Sequence, residues 1–332
     1  MSEITWDQQA GYIHSNQVSD MLRESLRPKA KFRQFATLND GDGNGGAQPH
    51  AGDTFYWNVY QAPARQNFRL QETKRIESST MTKLQRSLTV VEMGRAIEHT
   101  QKAQLLSKED WTAIVQSGLS FMAAAQFDSE TYLQMKATPL RAVPTSGTAT
   151  DTVTISSNGV PSQTNNVALG TGHIKAIADF MKMNNIPPHR DNDGYYCIAG
   201  IDTLRPFKNE LEGIHKYTET GLAFIKFGEI GRYEDTTFIE QTMVPAGGAA
   251  DSTTFDPYTN TADPWNNAKS SWAMFFGDDP VTEAAIVPEE IRAKLPEDYG
   301  RDKGAAWYAL TGFGITHPDA ANSRIVMWDS AA

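Results

Sequence analysis

Two overlapping patterns near the amino terminus come closest to the residue spacing of a chemical site. Residues 41–46 match GxGxxG, but a glycine loop that holds a pyrophosphate needs a strand before it and a helix N-terminus after it. Here a polar segment precedes the glycines, and Gln48-Pro49 follows them. Residues 40–45 begin like a calcium loop, but Ala51 stands where the bidentate glutamate belongs. Both patterns therefore favour a turn, and incidental cation binding at residues 40–45 stays open.

The other reactive side chains form no arrangement typical of catalysis or metal binding. The seven histidines lack metal-ligand spacing, and no GxSxG elbow occurs. Cys197 is the single cysteine and lies in an apolar, strand-like run, so we expect a buried and inert thiol. The pairs Asp278-Asp279 and Glu289-Glu290 stand beside prolines in a charge-rich stretch, which predicts solvated surface rather than acid–base catalysis. We predict no catalytic, cofactor or metal site, and therefore no enzyme.

The composition is that of a soluble, mostly ordered protein that folds in a reducing compartment. A chain of 332 residues can bury a sizeable core, in one large or two modest domains. Its apolar runs, such as residues 284–287, are far shorter than the ~18 residues that cross a bilayer. The N-terminus lacks the basic head and apolar core of a secretory signal. A formal net charge of −10 argues against general binding to exposed nucleic acid.

The charge is unevenly distributed, and two interpretations of this remain open. Residues 251–298 are rich in acids, whereas the first quarter of the chain is rich in bases. The two ends could simply be solvated faces, or a basic arm of one copy could contact the acidic body of another. On the second interpretation the candidate subunit-interface residues are Arg23, Arg27, Lys29, Lys31, Arg33, Arg65, Arg69, Lys74, Arg75, Lys83 and Arg86.

A long helix over residues 107–138 is the element around which we expect the chain to fold. Ser107 can cap it, apolar residues recur at helical spacing, and Pro139 disfavours helix in the residue before it. Heptads with flanking charges are missing, so a free coiled coil is not expected. The predicted helix should have other elements packed along its length.

The rest of the sequence predicts an α+β protein with a protruding hairpin. Residues 1–52 read as an extended arm, and strands at 53–60 and 87–93 flank a long polar stretch. Such a hairpin would be marginal alone, so a neighbouring subunit could support it. The further predictions are helices at 94–106, 172–183 (capped by Thr171) and 202–208, strands at 152–156, 194–200, 222–227, 236–243, 271–276, 307–315 and 324–328, and an insertion at 245–267.

Two stretches carry a resemblance to a known family. The first is a glycine-punctuated turn with Gly228, Glu229, Gly231 and Arg232, and the second is a charged lead into an aromatic strand with Gly300, Arg301, Asp302, Lys303 and Trp307. Together with residues 52–58, 196–199 and 324–328, they resemble the major capsid proteins of tailed double-stranded DNA phages. The nearest branch is that of short-tailed phages with the HK-97-type capsid fold.

The resemblance implies a fold, a division into segments and a function. It implies an N-terminal arm (1–52), an extended hairpin loop (53–93), a peripheral domain with the spine helix (94–170), an axial domain (171–285) and a return to the peripheral domain (286–332). The implied function is structural: pentamers and hexamers form an icosahedral shell around a DNA genome, after assembly in the host cytoplasm. Implied partners are other copies, a portal, scaffolding or decoration proteins and non-specifically held DNA, with no membrane and no cofactor. A nanocompartment shell and a cell-surface binding module are the alternatives.

Overall fold

The computed structural model describes residues 30–38, 54–61, 80–102, 111–159, 167–191, 193–215, 232–241, 271–295 and 301–330, together with residues 72, 75, 76, 78 and 299. Its helices are α1 (Trp111–Lys136), α2 (Thr171–Met183) and α3 (Ile201–His215). Its strands are β1 (Ala36–Leu38), β2 (Thr54–Gln61), β3 (Thr82–Thr89), β4 (Val91–Thr100), β5 (Leu140–Pro144), β6 (Val153–Ser156), β7 (Tyr195–Ala199), β8 (Arg232–Tyr233), β9 (Thr236–Glu240), β10 (Ser271–Phe276), β11 (Val281–Ala293), β12 (Asp302–Ile315) and β13 (Ile325–Ser330).

The strands form three sheets of different size. A four-stranded sheet has the order β1-β11-β12-β4, with β1 parallel to β11 and the other pairs antiparallel. A seven-stranded mixed sheet has the order β6-β5-β13-β10-β7-β9-β8. The antiparallel pair β2–β3 stands apart as a two-stranded hairpin, in register from Thr54 opposite Thr89 to Gln61 opposite Thr82. The predicted hairpin is thus present, but its second strand is Thr82–Thr89 rather than residues 87–93, and residues 91–93 belong to β4.

Helix α1 lies at the centre of the first core. Its 26 residues span about 39 Å, and it ends at Lys136, three residues before Pro139. Its predicted cap, Ser107, lies outside the described residues. Apolar side chains of α1 pack both against the four-stranded sheet and against one face of the seven-stranded sheet; they include Val115, Leu119, Ala123, Phe127 and Met135. The helix therefore joins the two sheets.

The seven-stranded sheet is covered on both faces, which explains its continuous apolar strands. Along β10, Met274 and Phe276 face the α1 core, whereas Ala273 and Phe275 face a second core with α2 and α3. Because successive residues of a strand point to opposite faces, both sets must be apolar. Cys197 on β7 belongs to the second core and is fully buried, and burial raises the pKa of its thiol. The predicted burial of the cysteine is confirmed.

Several predicted elements were wrong or differ in extent. Residues 94–100, predicted as helix, belong to strand β4, where Met93 and His99 are buried on one side. Strand β11 was not predicted, because Pro288 and the adjacent glutamates resemble surface chain. In the structure the strand pairing shifts register between Val287 and Glu290, and this irregularity accommodates the proline. Gly170 rather than Thr171 is the N-cap of α2.

The remaining segments follow the prediction more closely or lie outside the described residues. Helix α3 extends to residue 215, beyond the predicted end at 208, and β12 begins at residue 302 rather than 307. The strand predicted at 222–227 and the insertion at 245–267 are not described. Sheet pairing crosses the predicted segment boundaries, since β13 pairs with β10. The division into five segments stays a prediction.

Candidate assembly surfaces

The first candidate surface is the arm anchor, which we define as residues 30–38 with the side chains that hold them. Ala30 and Phe32 are buried, and the ring of Phe32 lies edge-on to Tyr132 of α1 with 5.6 Å between centroids. Three residues further on, Phe35 contacts the rings of Tyr196 and Phe276. The arm thus enters the core before it pairs as β1 with β11.

Asp128 of α1 fixes the backbone of the arm. Its Oδ2 accepts hydrogen bonds from the Lys31 N–H at 2.8 Å and from Nε2 of Gln241 at 2.7 Å. Its Oδ1 accepts from the N–H groups of Phe32 and Arg33 at 3.1 and 3.3 Å. Burial raises the pKa of Asp128, and these four donors oppose that effect. One carboxyl group therefore accepts hydrogen bonds from three consecutive backbone N–H groups, which would otherwise lose this acceptor.

Arg33 joins the arm to the acidic body of its own chain. Its Nη2 and Nε donate to the Glu283 carboxylate at 2.6 and 3.1 Å, and Nη1 pairs with Glu289. The guanidinium also lies over the Phe127 ring, 4.3 Å from its centroid. Burial lowers the pKa of Arg33, but the two carboxylates outweigh it and raise the pKa above its usual value. The basic-arm-to-acidic-body contact predicted between copies is made at this residue within one chain.

The sequence analysis did not identify Asp128 and Glu289 of the arm anchor as buried acids. Glu289 was predicted to be solvated, but its side chain is only 2% exposed. Asp128 follows seventeen uncharged residues of α1, and that isolation was the available signal for a buried acid. Two residues further along, burial raises the pKa of Glu130 to about 7, although Gln126 donates a hydrogen bond to it at 2.9 Å.

The second candidate surface is the β2–β3 hairpin, which is attached to the body at one end. Phe55 and Leu88 are buried against Ala284 and Val90, whereas the next inward pair, Trp57 and Arg86, is only half-buried. The opposite face of the hairpin is exposed and consists of Tyr56, Asn58, Lys83, Gln85 and Ser87. We call the end with Phe55 and Leu88 the root of the hairpin. The inward-facing side chains are less buried at the next pair away from this root.

Gly312 of β12 lets the hairpin root approach the body closely. A Cβ atom at this position would lie 2.6 Å from Leu88 Cδ1 and 2.7 Å from the Thr89 carbonyl oxygen. Beyond this contact, Arg86 pairs with Asp319 of the β12–β13 loop. The neighbouring His317 has its pKa lowered to about 4 by burial and by the charge of Arg324. The root is therefore packed tightly, and the next layer is held by a partly solvated ion pair.

The described interface candidates fall into two groups. Lys31 and Arg33 lie in the arm anchor, whereas Arg75, Lys83 and Arg86 lie in or near the hairpin, with Arg75 and Lys83 exposed. The structure does not bring the two groups together: Arg33 pairs with β11, and Arg86 with the β12–β13 loop. Outside the described residues lie Arg23, Arg27, Lys29, Arg65, Arg69 and Lys74.

The described residues of the family-like motif lie in or beside strands β8 and β12. Trp307 is buried on β12 with its ring 5.5 Å from that of Phe127, and Lys303 is buried on the same strand. Asp302 begins β12, and the Arg301 carbonyl accepts a hydrogen bond from the Gln101 N–H at 3.1 Å. Arg232 donates to Asp235 at 3.2 Å. The motif residues Gly228, Glu229, Gly231 and Gly300 lie outside the described residues.

The described residues offer no assembly of groups for metal chemistry. Among them, no cluster of three or more histidine, cysteine, aspartate or glutamate side chains could hold a metal ion. Residues 40–45 are not among them. No helix in the described part of the chain is long and apolar enough to cross a membrane.

Sequence comparisons identify no relative. No family description matches the sequence, and no curated protein does. The likeness to known proteins therefore rests on three-dimensional structure.

Solved structures of phage capsids match the fold over nearly the whole chain. The Ralstonia phage GP4 capsid superposes with a TM-score of 0.62 at 12% identity, covering 99% of this chain and 94% of that one. The cyanophage P-SCSP1u capsid gives 0.61 at 11% identity, with 99% and 91% covered. The capsid of Helicobacter pylori bacteriophage KHP30 gives 0.60 at 12% identity, with 98% and 94% covered. The chain has the α+β HK-97-type capsid fold, as the sequence resemblance implied.

Proposed function

We propose that this chain is the major capsid protein of a tailed double-stranded DNA phage. Copies assemble as pentamers and hexamers into an icosahedral shell that encloses the genome. The observation that carries the proposal is the match to phage capsids over 98–99% of this chain and over 91–94% of the matched chains. Because the coverage is high in both directions, the match is not confined to one part of either chain.

The β2–β3 hairpin supports an assembly role. The hairpin exposes Tyr56 and Lys83 on one face, and its described inward-facing side chains are less buried beyond Phe55 and Leu88. Two-stranded hairpins are marginal when isolated, so a neighbouring subunit is the natural support for the distal part. Shell contacts can be individually weak, because each subunit makes many of them.

We also propose a role for each segment of the chain. Residues 1–52 act as the N-terminal arm and 53–93 as the extended loop that overlaps a neighbour. Residues 94–170 and 286–332 form the peripheral domain, and 171–285 form the axial domain at the centre of each pentamer or hexamer. The basic residues of the distal hairpin, among them Arg65, Arg69, Lys74, Arg75 and Lys83, contact acidic surface on the next subunit.

The role is structural, so no reaction is assigned to the chain. Other copies of the chain are the main partners, with a portal and scaffolding or decoration proteins completing the particle. Packaged DNA is held by confinement and non-specific contact, in keeping with the net charge of −10. Assembly takes place in the cytoplasm of the bacterial host. The matched capsid structures lend no support to a nanocompartment shell or a cell-surface binding module.

Expression of the chain alone tests the proposal directly. Negative-stain electron microscopy and sedimentation velocity on the same sample should reveal closed particles, sheets or tubes of uniform subunit spacing. A matched variant, Lys83→Glu, should reduce their yield at least tenfold, whereas Arg205→Glu on the exposed face of α3 should not. A chain that stays monomeric at every concentration, with and without a crowding agent, would contradict self-assembly.

A further inference from the structure

The first part of helix α1 has a solvent-exposed face without charge. Residues 111–127 contain no lysine, arginine, histidine, aspartate or glutamate. Yet Phe121 is 58% and Ile114 41% exposed, and Ser117 between them is exposed as well. A helix face in contact with water ordinarily carries charged or strongly polar residues. We call the face formed by Ile114, Ser117 and Phe121 the apolar stripe.

The apolar stripe continues the face of α1 on which the arm is anchored. Phe121 precedes Asp128 by seven residues, and Ile114 precedes it by fourteen. Seven residues turn an α-helix by about 20° less than two full turns, so the three side chains lie in one row. Along the axis, Phe121 lies about 10 Å and Ile114 about 21 Å from Asp128. The arm therefore enters α1 at one end of the stripe.

The segment before the arm anchor has the composition to cover this stripe. Val18, Met21, Leu22 and Leu26 are spaced as i, i+3, i+4 and i+8, which would place them on one side of a helix. Leu26 stands four residues before Ala30, and four extended residues reach about 13 Å. That reach covers the distance from Asp128 to Phe121, and the residues before Leu26 can extend to Ile114.

We propose that residues 18–26 dock on the apolar stripe of the same subunit, with Leu26 against Phe121 and Met21 and Leu22 towards Ile114. Attachment to an arm already fixed at Asp128 gives the segment a high effective concentration, in the millimolar range for a short linker. A segment from a second copy would lack this advantage. The docking takes place in the unassembled subunit, so it can be tested separately from shell assembly.

Cysteine labelling measures the coverage, because the chain's single native cysteine is buried. In the full-length chain, the cysteine introduced by Ser117→Cys should react with a maleimide at least tenfold more slowly than that introduced by Met183→Cys. Met183 is 81% exposed at the end of α2 and serves as the control position. Adding Leu22→Asp and Leu26→Asp should raise the rate at position 117 at least tenfold and leave position 183 unchanged.

Each labelling result decides the proposal. Equal rates at positions 117 and 183 in the full-length chain would show that the stripe is open, which overturns it. Slow labelling at 117 that the two aspartates do not accelerate would mean that another part of the molecule covers the stripe, which also overturns it. Circular dichroism of each variant shows that a rate increase does not come from unfolding.

Cross-linking distinguishes the same subunit from a second copy. A short bismaleimide added to the Ser25→Cys/Ser117→Cys variant at submicromolar concentration should yield an internally linked monomer, identified by peptide mass spectrometry. The single variants mixed together should yield no linked dimer. Linked dimers in that mixture, without the internal product, would assign the stripe to a second copy and overturn docking within the subunit.

Discussion

The arm anchor and the β2–β3 hairpin are both peripheral segments, but they are held in opposite ways. The arm is fixed by buried groups: three backbone N–H donors on Asp128 and a guanidinium between Glu283 and Glu289. The hairpin is fixed by apolar packing at its root and by the partly solvated pair Arg86–Asp319. The arm anchor therefore belongs to the fold of the subunit, whereas the outer face of the hairpin, which includes Tyr56 and Lys83, is exposed.

The contacts of the arm anchor limit how much of the N-terminal arm can be deleted without destabilising the subunit. Deleting residues 1–52 would remove Phe32 from the core and leave Asp128 buried without its backbone donors. The part of the arm that can be removed without disturbing these contacts is thus the portion before Ala30. Substitutions in the two regions should separate stability from assembly.

The largest effect is expected for Asp128→Ala. The variant leaves three arm N–H groups and the Gln241 amide without their acceptor, and each unsatisfied buried donor costs roughly 1–3 kcal/mol. Because water can enter and satisfy some of them, we expect the free energy of unfolding to fall by about 4 kcal/mol. Urea denaturation of the unassembled subunit measures it. Asp179→Ala on the exposed side of α2 is the control. A loss below about 1 kcal/mol for Asp128→Ala would show that the hydrogen bonds of Asp128 do not hold the arm in place.

A smaller loss is expected for Arg33→Met. Methionine preserves much of the apolar stem but leaves Glu283 and Glu289 without their counter-charge, which costs about 3 kcal/mol for a buried pair. The double variant Arg33→Met/Glu289→Gln should recover roughly half of this loss, because only one buried carboxylate then remains. If the double variant is no more stable than the single one in the same urea titration, the ion pairs are not what Arg33 contributes.

The sequence predicted those parts of the fold that depend on local signals. Pro139 predicted the end of α1, and aromatic and β-branched residues predicted β2. Residues 94–100 of β4 were predicted as helix; an apolar spacing such as that of Met93 and Ile97, four residues apart, suits a helix as well as one side of a strand. Only the pairing partner distinguishes a strand from a helix in this segment, and that partner is β12.

The candidate surfaces were harder to predict from the sequence than the fold elements, because they depend on contacts between distant parts of the chain. The exposed hairpin and its basic residues followed from composition, but the partner of Arg33 did not. A sequence shows that bases precede acids; it does not show that β1 pairs with β11 and so brings Arg33 to Glu283 within one chain. Pro288 and its neighbouring acids likewise resemble surface chain until the register shift in β11 is known.

The pH dependence of stability should differ in sign between the two regions. Burial raises the pKa of Glu130, next to the arm anchor, from 4.5 to about 7. The folded state then holds a proton that the unfolded state releases, so this contribution is full below about pH 4.5 and is lost as the pH rises through about 7. At roughly 1.4 kcal/mol per pH unit, Glu130→Gln should stabilise the subunit by up to about 3 kcal/mol at pH 8 and by almost nothing at pH 4.

His317 at the hairpin root should respond in the other direction. Its pKa is lowered from 6.5 to about 4, so its contribution is full above about pH 6.5 and is lost as the pH falls towards about 4. His317→Gln should therefore flatten the loss of stability in that range. Thermal unfolding of both variants from pH 4 to pH 8 measures the two effects, and a Glu130→Gln gain that is independent of pH would contradict the first.

The smallest effect on stability, with a large effect on assembly, is expected on the outer face of the hairpin. Tyr56 is 55% exposed, so Tyr56→Asp removes little intrachain packing and should change the free energy of unfolding by less than about 0.5 kcal/mol. If the face lies against a neighbouring subunit, an introduced carboxylate is buried there without a partner, and particle yield should fall at least tenfold. Met183→Asp, at a more exposed apolar position on α2, controls for the general effect of added charge on solubility.

Sedimentation of the assembled fraction and urea unfolding of the monomer, taken from one preparation, separate these two readouts. A Tyr56→Asp variant that unfolds more easily by about 2 kcal/mol would show that the hairpin is packed on its own body like the arm anchor, and the contrast between the regions would disappear. A stable variant that assembles normally would keep the contrast but remove the outer face from the interface. Only unchanged stability with lost assembly assigns that face to contacts between subunits.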